Sequence, residues 1–213
     1  MMVLEVSETF LSLQGEGIFV GQPCFFIRLS GCNLRCSYCD TAYAWEKGDE
    51  LSVQELVARW KATRVHLVQL TGGEPLLQRP VYDLMAELAE LGAKVLLETN
   101  GSLSLSNVPQ YVSKSVDWKT PGSGSAASWV PENLRYLSRN DAIKFVITNR
   151  EDFEFARSKT LRHGLLNFTN VYFSPAWGMM DMEELARWII EDRLPVRLGF
   201  QLHKIIWGNV RGK

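Results

Sequence analysis

Short apolar runs alternate with amphipathic stretches along the chain. Strand-like runs occupy 24–29, 65–70, 93–98, 111–117, 142–147, 169–173 and 196–201. Several are continuous in Val, Ile, Leu or Phe and end at turn-forming residues, as strands covered on both faces read. Helical spacing appears at 52–62, 80–91, about 150–162 and about 181–191. The first has Leu56, Val57 and Trp60 on one face and opens on an S-x-x-E capping box, Ser52 and Glu55. The second opens at Pro80 and closes at Gly92. The acidic run Glu151-Asp152-Phe153-Glu154 suits a helix N-terminus. Trp60 and Trp188 read as core, His66 as a mid-strand residue, and Met179-Met180 as gap filling or a subunit seam. The stretch 100–141 shows little helical period, and 120–128 (TPGSGSAAS) reads as a flexible loop. Alternating strands and helices predict parallel βα units. Strands outnumber helices, so the expected α/β fold is not a complete eightfold barrel. It is an open partial (β/α) barrel of about six to seven mainly parallel strands with a reduced helix complement.

Length and composition narrow the function classes. The chain's 213 residues suit one domain, 1–213, and its 46% hydrophobic content is ordinary for a globular protein. A formal net charge of −1 supplies no basic field for nucleic acid. No apolar run reaches the roughly 18 residues of a membrane span. With no targeting segment, the expected location is cytoplasmic.

Cys32, Cys36 and Cys39 stand as C-x3-C-x2-C directly after the first strand-like run. Four readings are open. A structural zinc site wants four ligands, yet Cys24 alternates into an apolar strand and His66, His163 and His203 complete no local knuckle. A disulfide framework wants an even set and an oxidising compartment. A [4Fe–4S] cluster with three protein thiolates keeps one iron open for a ligand, and this reading fits the spacing best. Unligated thiols remain the fourth, plainest case.

Polar groups gather where strands end. The cysteine loop follows the first run, Thr71-Gly72-Gly73-Glu74-Pro75 the second, Glu98-Thr99-Asn100-Gly101 the third and Asp117-Trp118-Lys119 the fourth. Ser174-Pro175 follows the sixth, and His203-Lys204 the last. The C-terminal ends of parallel strands form the active face of (β/α) architectures. Each also has a plainer reading: Asn100-Gly101 is a turn signal, and Asp117 with Lys119 reads equally as a surface pair.

The cysteine triplet, with Tyr38 before its last member, resembles the radical S-adenosylmethionine (SAM) superfamily. Gly72-Gly73-Glu74 resembles that superfamily's GGE motif. Its glycines would let backbone approach the ligand, and Glu74 would accept a hydrogen bond from the SAM ammonium. Further segments resemble the 7-carboxy-7-deazaguanine synthases: Ser12-Leu13-Gln14-Gly15-Glu16-Gly17, Phe26 through Cys36, Cys39-Asp40-Thr41, and Gln201-Leu202-His203-Lys204. The likeness covers nearly the whole chain except about 120–165.

The resemblance implies conversion of 6-carboxy-5,6,7,8-tetrahydropterin to 7-carboxy-7-deazaguanine with release of ammonia, on the route to queuosine and other 7-deazapurines. It implies a [4Fe–4S] cluster on Cys32, Cys36 and Cys39, and SAM used catalytically to make a 5′-deoxyadenosyl radical. It further implies Mg2+ at Thr41, a homodimer, and flavodoxin or ferredoxin as electron donor. The implied SAM residues are Tyr38, Cys39, Asp40, Gly73, Glu74, Asp117, Trp118, Lys119, Ser174, Pro175, Ala176 and Trp177. The implied substrate residues are Leu13, Gln14, Gly15, Glu16, Arg28, Thr71 and His203. Arg28 also stands out by itself, as a charge inside an apolar run that needs a partner such as a carboxylate. A different small radical SAM enzyme, such as a glycyl-radical activase, would share the triplet and GGE but has no use for QGEG. A zinc-stabilised binding module would lack a fourth local ligand.

Overall fold

In the computed structural model, which describes residues 2–213, nine strands form one sheet. They are β1 (Val3–Leu13), β2 (Pro23–Leu29), β3 (Asp49–Ser52), β4 (Leu67–Gly72), β5 (Lys94–Thr99), β6 (Ser113–Asp117), β7 (Ala142–Ile147), β8 (Asn170–Pro175) and β9 (Arg197–Leu198). Their order is β3-β1-β2-β4-β5-β6-β7-β8-β9. Pairing is antiparallel at the β3-β1-β2 edge and parallel from β2 onward. The helices are α1 (Val53–Thr63), α2 (Val81–Glu90), α3 (Arg150–Arg162), α4 (Met182–Glu191) and α5 (Leu202–Trp207). This is the open α/β architecture expected, extended by two strands that the hydrophobic pattern does not announce. In β1 polar residues interrupt the apolar alternation, and β3 has only four residues.

Local chemistry sets the helix ends. Ser52 and Glu55 complete the capping box of α1, and Asn149 caps α3 by accepting from the Asp152 amide. Helix α1 buries Val53, Leu56, Val57 and Trp60, a spacing that holds one face against the sheet. Gly92 follows α2 at φ +89, a conformation glycine adopts without strain. Some expected boundaries move. His66 precedes β4 rather than sitting within a strand, and 196–201 shortens to Arg197–Leu198, with α5 starting at Leu202. No helix among the described residues is long and apolar enough to cross a membrane.

The two faces of the sheet differ in chemistry. Phe25, Ile27, Val68, Leu70, Val95, Leu97, Ile143, Phe145 and Phe173 belong to the large core. Their sequence neighbours Cys24, Phe26, Leu67 and Leu96 form a second, small cluster, with Phe10 and Phe19 packed on it. Because side chains alternate along a strand, Arg28, Gln69, Thr71, Glu98, Asp117, Lys144 and Ser174 fall on the second cluster's face, toward the strands' C-terminal ends. Apolar residues thus plug one end of the open barrel and polar residues line the other. Cys24 is fully buried in the plug, as the alternation implied.

The stretch expected as a flexible loop is anchored instead. Thr120 and Ser123 are buried, the Thr120 hydroxyl donates to Val146 O at 2.8 Å, and the Gly122 amide donates to Asp152 Oδ1 at 2.7 Å. Asn133, also buried, accepts from the Leu105 amide and donates to Gly101 O and Leu103 O. One amide side chain so replaces the backbone ladder that this irregular segment lacks.

Candidate active site

The strand ends surround a cavity of about 680 Å³. Cys32, Cys36 and Cys39 line it on one loop. All three are free and partly exposed, whereas Cys24 lies in the plug, removed from this loop. Three protein thiols therefore face the cavity without a fourth. The Leu34 amide lies 3.4 Å and the Asn100 Nδ2 3.8 Å from Cys32 Sγ, where N–H donors favour a thiolate. Burial pushes the Cys39 thiol up, so deprotonation there needs a cation. Among the described residues no three His, Cys, Asp or Glu side chains converge on a single-ion site. A cubane does not require such convergence, because each thiolate takes a different iron.

The loop is seated by residues on both sides. Ser37 Oγ donates to Gly122 O at 2.6 Å, and the Ser37 amide donates to Ser123 O at 3.1 Å. On the other side the Gly73 amide donates to Leu29 O and the Glu74 amide to Gly31 O. A Cβ on Gly72, at φ +146, would collide with the Leu29 backbone, and one on Gly73 with Gly31 O. These glycines are required first by the chain entering the cysteine loop. Gly73 also lines the cavity.

Glu74 departs from its expected place. Its carboxylate is fully buried, does not line the cavity, and accepts from Leu76 N at 3.0 Å, Thr99 Oγ1 at 2.8 Å and Asn100 N at 2.7 Å. Burial pushes this carboxyl up, against the pull of those three bonds. Glu74 thus ties the end of β4 to the end of β5, and an ammonium would need other acceptors. Trp118 departs as well. Alternation turns its side chain off the cavity face, to stack on Trp129 at 4.0 Å within the main core. Its neighbours Asp117 and Lys119 do line the cavity, as a half-buried pair at 3.0 Å rather than a surface one.

The remaining expected SAM residues, Tyr38, Cys39, Asp40, Ser174, Pro175, Ala176 and Trp177, line the same cavity. Tyr38 Oη and Asp117 Oδ1 are buried there without a hydrogen-bond partner. Burial pushes the Tyr38 hydroxyl up to about 12, so it stays a donor. Unpaired buried polar atoms beside three open thiols fit a polar ligand held against a cluster.

Arg28 points into the cavity from β2. The ladder slips between Val6 and Glu8, a bulge that sets Glu8 opposite Arg28. Arg28 Nε donates to Glu8 at 2.8 Å, and Glu8 also accepts from Tyr43 Oη at 2.8 Å and Arg211 Nε at 2.9 Å. Burial would raise the Glu8 carboxyl, but bonds from Arg211, Tyr43 and Arg28 hold it below the usual range. Arg28 thus has a partner of its own, and among the described residues only its Nε is so engaged.

Leu13, Gln14, Gly15 and Glu16 line the cavity after β1, with Thr71 and His203. Gln14 Nε2 donates to Gln69, and Gln69 Nε2 to Glu98 at 2.8 Å. A Cβ on Gly15 would collide with the His203 ring, so glycine lets the histidine approach. Helix α5 latches two loops: Gln201 donates to Glu16 Oε1 at 2.9 Å and to Asp40 Oδ2 at 3.2 Å, while Lys204 Nζ also bonds Asp40 Oδ2. Burial would raise Asp40, but Lys204 holds its carboxyl well below the usual range. Thr41 Oγ1 donates to Asp40 Oδ1 at 2.9 Å, which leaves the hydroxyl lone pairs for another group.

Several residues in or beside the cavity escape the sequence reading. Lys144 Nζ reaches Glu98 at 2.7 Å and Glu16 at 2.9 Å. Burial would lower this ammonium, but Asp117, Glu16 and Glu98 raise it well above its ordinary value. Its signal was present in the run Ala-Ile-Lys-Phe-Val-Ile, a charge inside an apolar strand, like Arg28. Glu8 and Tyr43 had no such signal, since their partners come from distant positions.

The Radical SAM superfamily model matches residues 26–117. The chain is 46% identical to the 7-carboxy-7-deazaguanine synthase of Koribacter versatilis, over 96% of this chain and 97% of that one. It is 40% identical to the enzyme of that name from Chlorobaculum tepidum, over 96% and 94%. Among solved structures, QueE from Escherichia coli superposes with a TM-score of 0.77 at 23% identity, over 95% and 96% of the two chains, which shows the fold. With relatives 40% and 46% identical over nearly the whole chain and three open thiols on one cavity, the chain belongs to the 7-carboxy-7-deazaguanine synthase family of radical SAM enzymes.

Proposed function

We propose that the enzyme converts 6-carboxy-5,6,7,8-tetrahydropterin to 7-carboxy-7-deazaguanine and ammonia, with SAM as a regenerated cofactor. The observation that carries this reading is the shared cavity: the cysteine loop forms one wall, and Gln14, Glu16, Arg28, Thr71 and His203 gather beyond it. Cys32, Cys36 and Cys39 would hold a [4Fe–4S] cluster, which when bound and reduced would supply the electron for SAM cleavage. The residues around it bind and orient.

Tyr38, Asp40, Gly73, Asp117, Lys119, Ser174, Pro175, Ala176 and Trp177 surround SAM. Tyr38 Oη and Asp117 Oδ1 offer it a donor and an acceptor. The terminal guanidinium nitrogens of Arg28 take the substrate carboxylate, with Nε steadied by Glu8. Leu13, Gln14, Gly15 and Glu16 read the heterocycle edge, and Thr71 and His203 complete its surround. His203 is held neutral, since burial lowers it despite the nearby Glu16 charge, so it can accept as well as donate. Thr41 Oγ1 would hold Mg2+, which would offset the charge of the substrate carboxylate. The chain works as a single domain, as a homodimer in the reducing cytoplasm, and takes electrons from a flavodoxin or ferredoxin.

The test is anaerobic turnover of the reconstituted enzyme with dithionite, SAM, magnesium and the pterin, read by product mass. Product with little net SAM consumption is expected. Formation of 5′-deoxyadenosine without product would refute the substrate and favour another radical SAM reaction.

A further inference from the structure

At the base of the polar cavity, the Lys144 ammonium sits among three carboxylates that arrive on three other segments. Glu98 at the end of β5 is 2.7 Å away, Glu16 after β1 is 2.9 Å away, and Asp117 at the end of β6 is 3.7 Å away. The Lys144 side chain is only 11% exposed. The register Asp117↔Lys144 between β6 and β7 brings the cofactor side of the cavity beside it.

Each carboxylate is already oriented by a second bond. Glu16 Oε1 accepts from Gln201, and Glu98 Oε2 accepts from Gln69 and Thr71. Asp117 Oδ2 accepts from Lys119, and its Oδ1 is buried and unpaired. The other charged or titratable groups acting here are Arg28 from β2, which acts on Glu98, and His203 from α5, which feels Glu16 and Glu98. With Lys144 removed, Glu16 and Glu98 would face each other in the cavity without their shared cation. Crowded carboxylates in that setting hold a proton instead of two charges.

We propose that Lys144 is a positioning and specificity-determining residue: it locks Glu16 and Glu98 as a fixed pair of acceptors, so the cavity selects a ring that presents N–H donors to them. This deepens the pterin reading and rests on it. A neutral replacement of Lys144 thereby lets the carboxylate pair share a proton, an effect that a filler of the core does not have.

The experiment compares wild type, Lys144→Met and the double variant Lys144→Met/Glu16→Gln as reconstituted enzymes. Lys144→Met is expected to raise KM for the pterin about tenfold or more, the scale of one lost charged hydrogen bond. Its kcat/KM is expected to climb with pH across the neutral range, because a carboxylate must first lose its proton. The wild type is flat there. The double variant, with one of the facing acids removed, is expected to lose the climb while KM stays high. Both variants are expected to keep the visible absorbance of the reconstituted cluster. A Lys144→Met enzyme with wild-type KM and pH profile overturns the proposal. Loss of the cluster absorbance in both variants also overturns it, by showing that Lys144 only supports the fold. A wild type that cleaves SAM but makes no product refutes the pterin reading itself, a separable result.

Discussion

Replacing Glu74 by Gln separates a ligand-contacting carboxylate from one that ties strands together. Glu74 Oε1 accepts two hydrogen bonds and Oε2 one, at 2.7–3.0 Å, in a fully buried position. Gln keeps the shape but turns one acceptor into a donor. The cheaper orientation sets its NH2 against the Asn100 amide and keeps the carbonyl on Leu76 N and Thr99 Oγ1. One buried donor left unsatisfied costs about 1–3 kcal/mol, and weaker neutral bonds add to it. Relief of the buried charge offsets part, so a net loss of about 2–3 kcal/mol is expected. For a chain of this size each kcal/mol moves Tm by roughly 2–4 °C, so the melting point should fall by roughly 4–12 °C. Thermal unfolding by circular dichroism reads this directly, and SAM affinity of the reconstituted variant provides the comparison. A direct ammonium contact would be worth about 2–5 kcal/mol, or roughly 30-fold and upward in affinity. A variant with unchanged Tm and abolished SAM binding would refute the tie between β4 and β5.

Three further outcomes follow from the geometry. Arg28→Ala should raise the pterin KM by roughly 30- to 100-fold while substrate-free SAM cleavage continues, since a charge-assisted carboxylate pair is lost; steady-state kinetics with unchanged KM would remove its carboxylate role. Thr41→Ala should weaken the rate response to added Mg2+ without bleaching the cluster's visible absorbance, and an identical magnesium titration would count against Thr41 as a ligand. The part of the stability that Glu8 supplies should hold from neutrality down to about pH 4.5 and then decline, because Glu8 has a folded pKa below its ordinary value. Its contribution is complete above the unfolded value and disappears as pH falls through the folded one. Urea titrations of Glu8→Gln should show a lower plateau and a shallower acid limb, and an unaltered limb would contradict the assignment.

The legible parts of the site are those written in contiguous residues. The cysteine triplet, QGEG and the QLHK segment each form from neighbours in sequence, and each lines the cavity at least in part. Arg28 was legible because a lone charge in an apolar run demands a partner, and the same argument applied to Lys144 would have found it. Glu74 and Trp118 show the opposite limit. Both follow a strand beside true cavity residues, yet a half-turn of the backbone sends one carboxylate beneath the loop and one indole into the core. The β1 strand and its Glu8 stayed hidden because antiparallel pairing and a bulge, rather than hydrophobic alternation, fix where that side chain points.

The amino-acid sequence by itself determined the order of βα units, the helix caps and the identities of the three thiols, because these depend on residues a few positions apart. Only the tertiary structure decided which polar groups meet. Lys144 with Glu16, Arg28 with Glu8, and Lys204 with Asp40 join positions 128, 20 and 164 apart in the chain. Such pairs depend on strand register and sheet curvature, where a shift of one residue would turn every side chain of a strand to the other face.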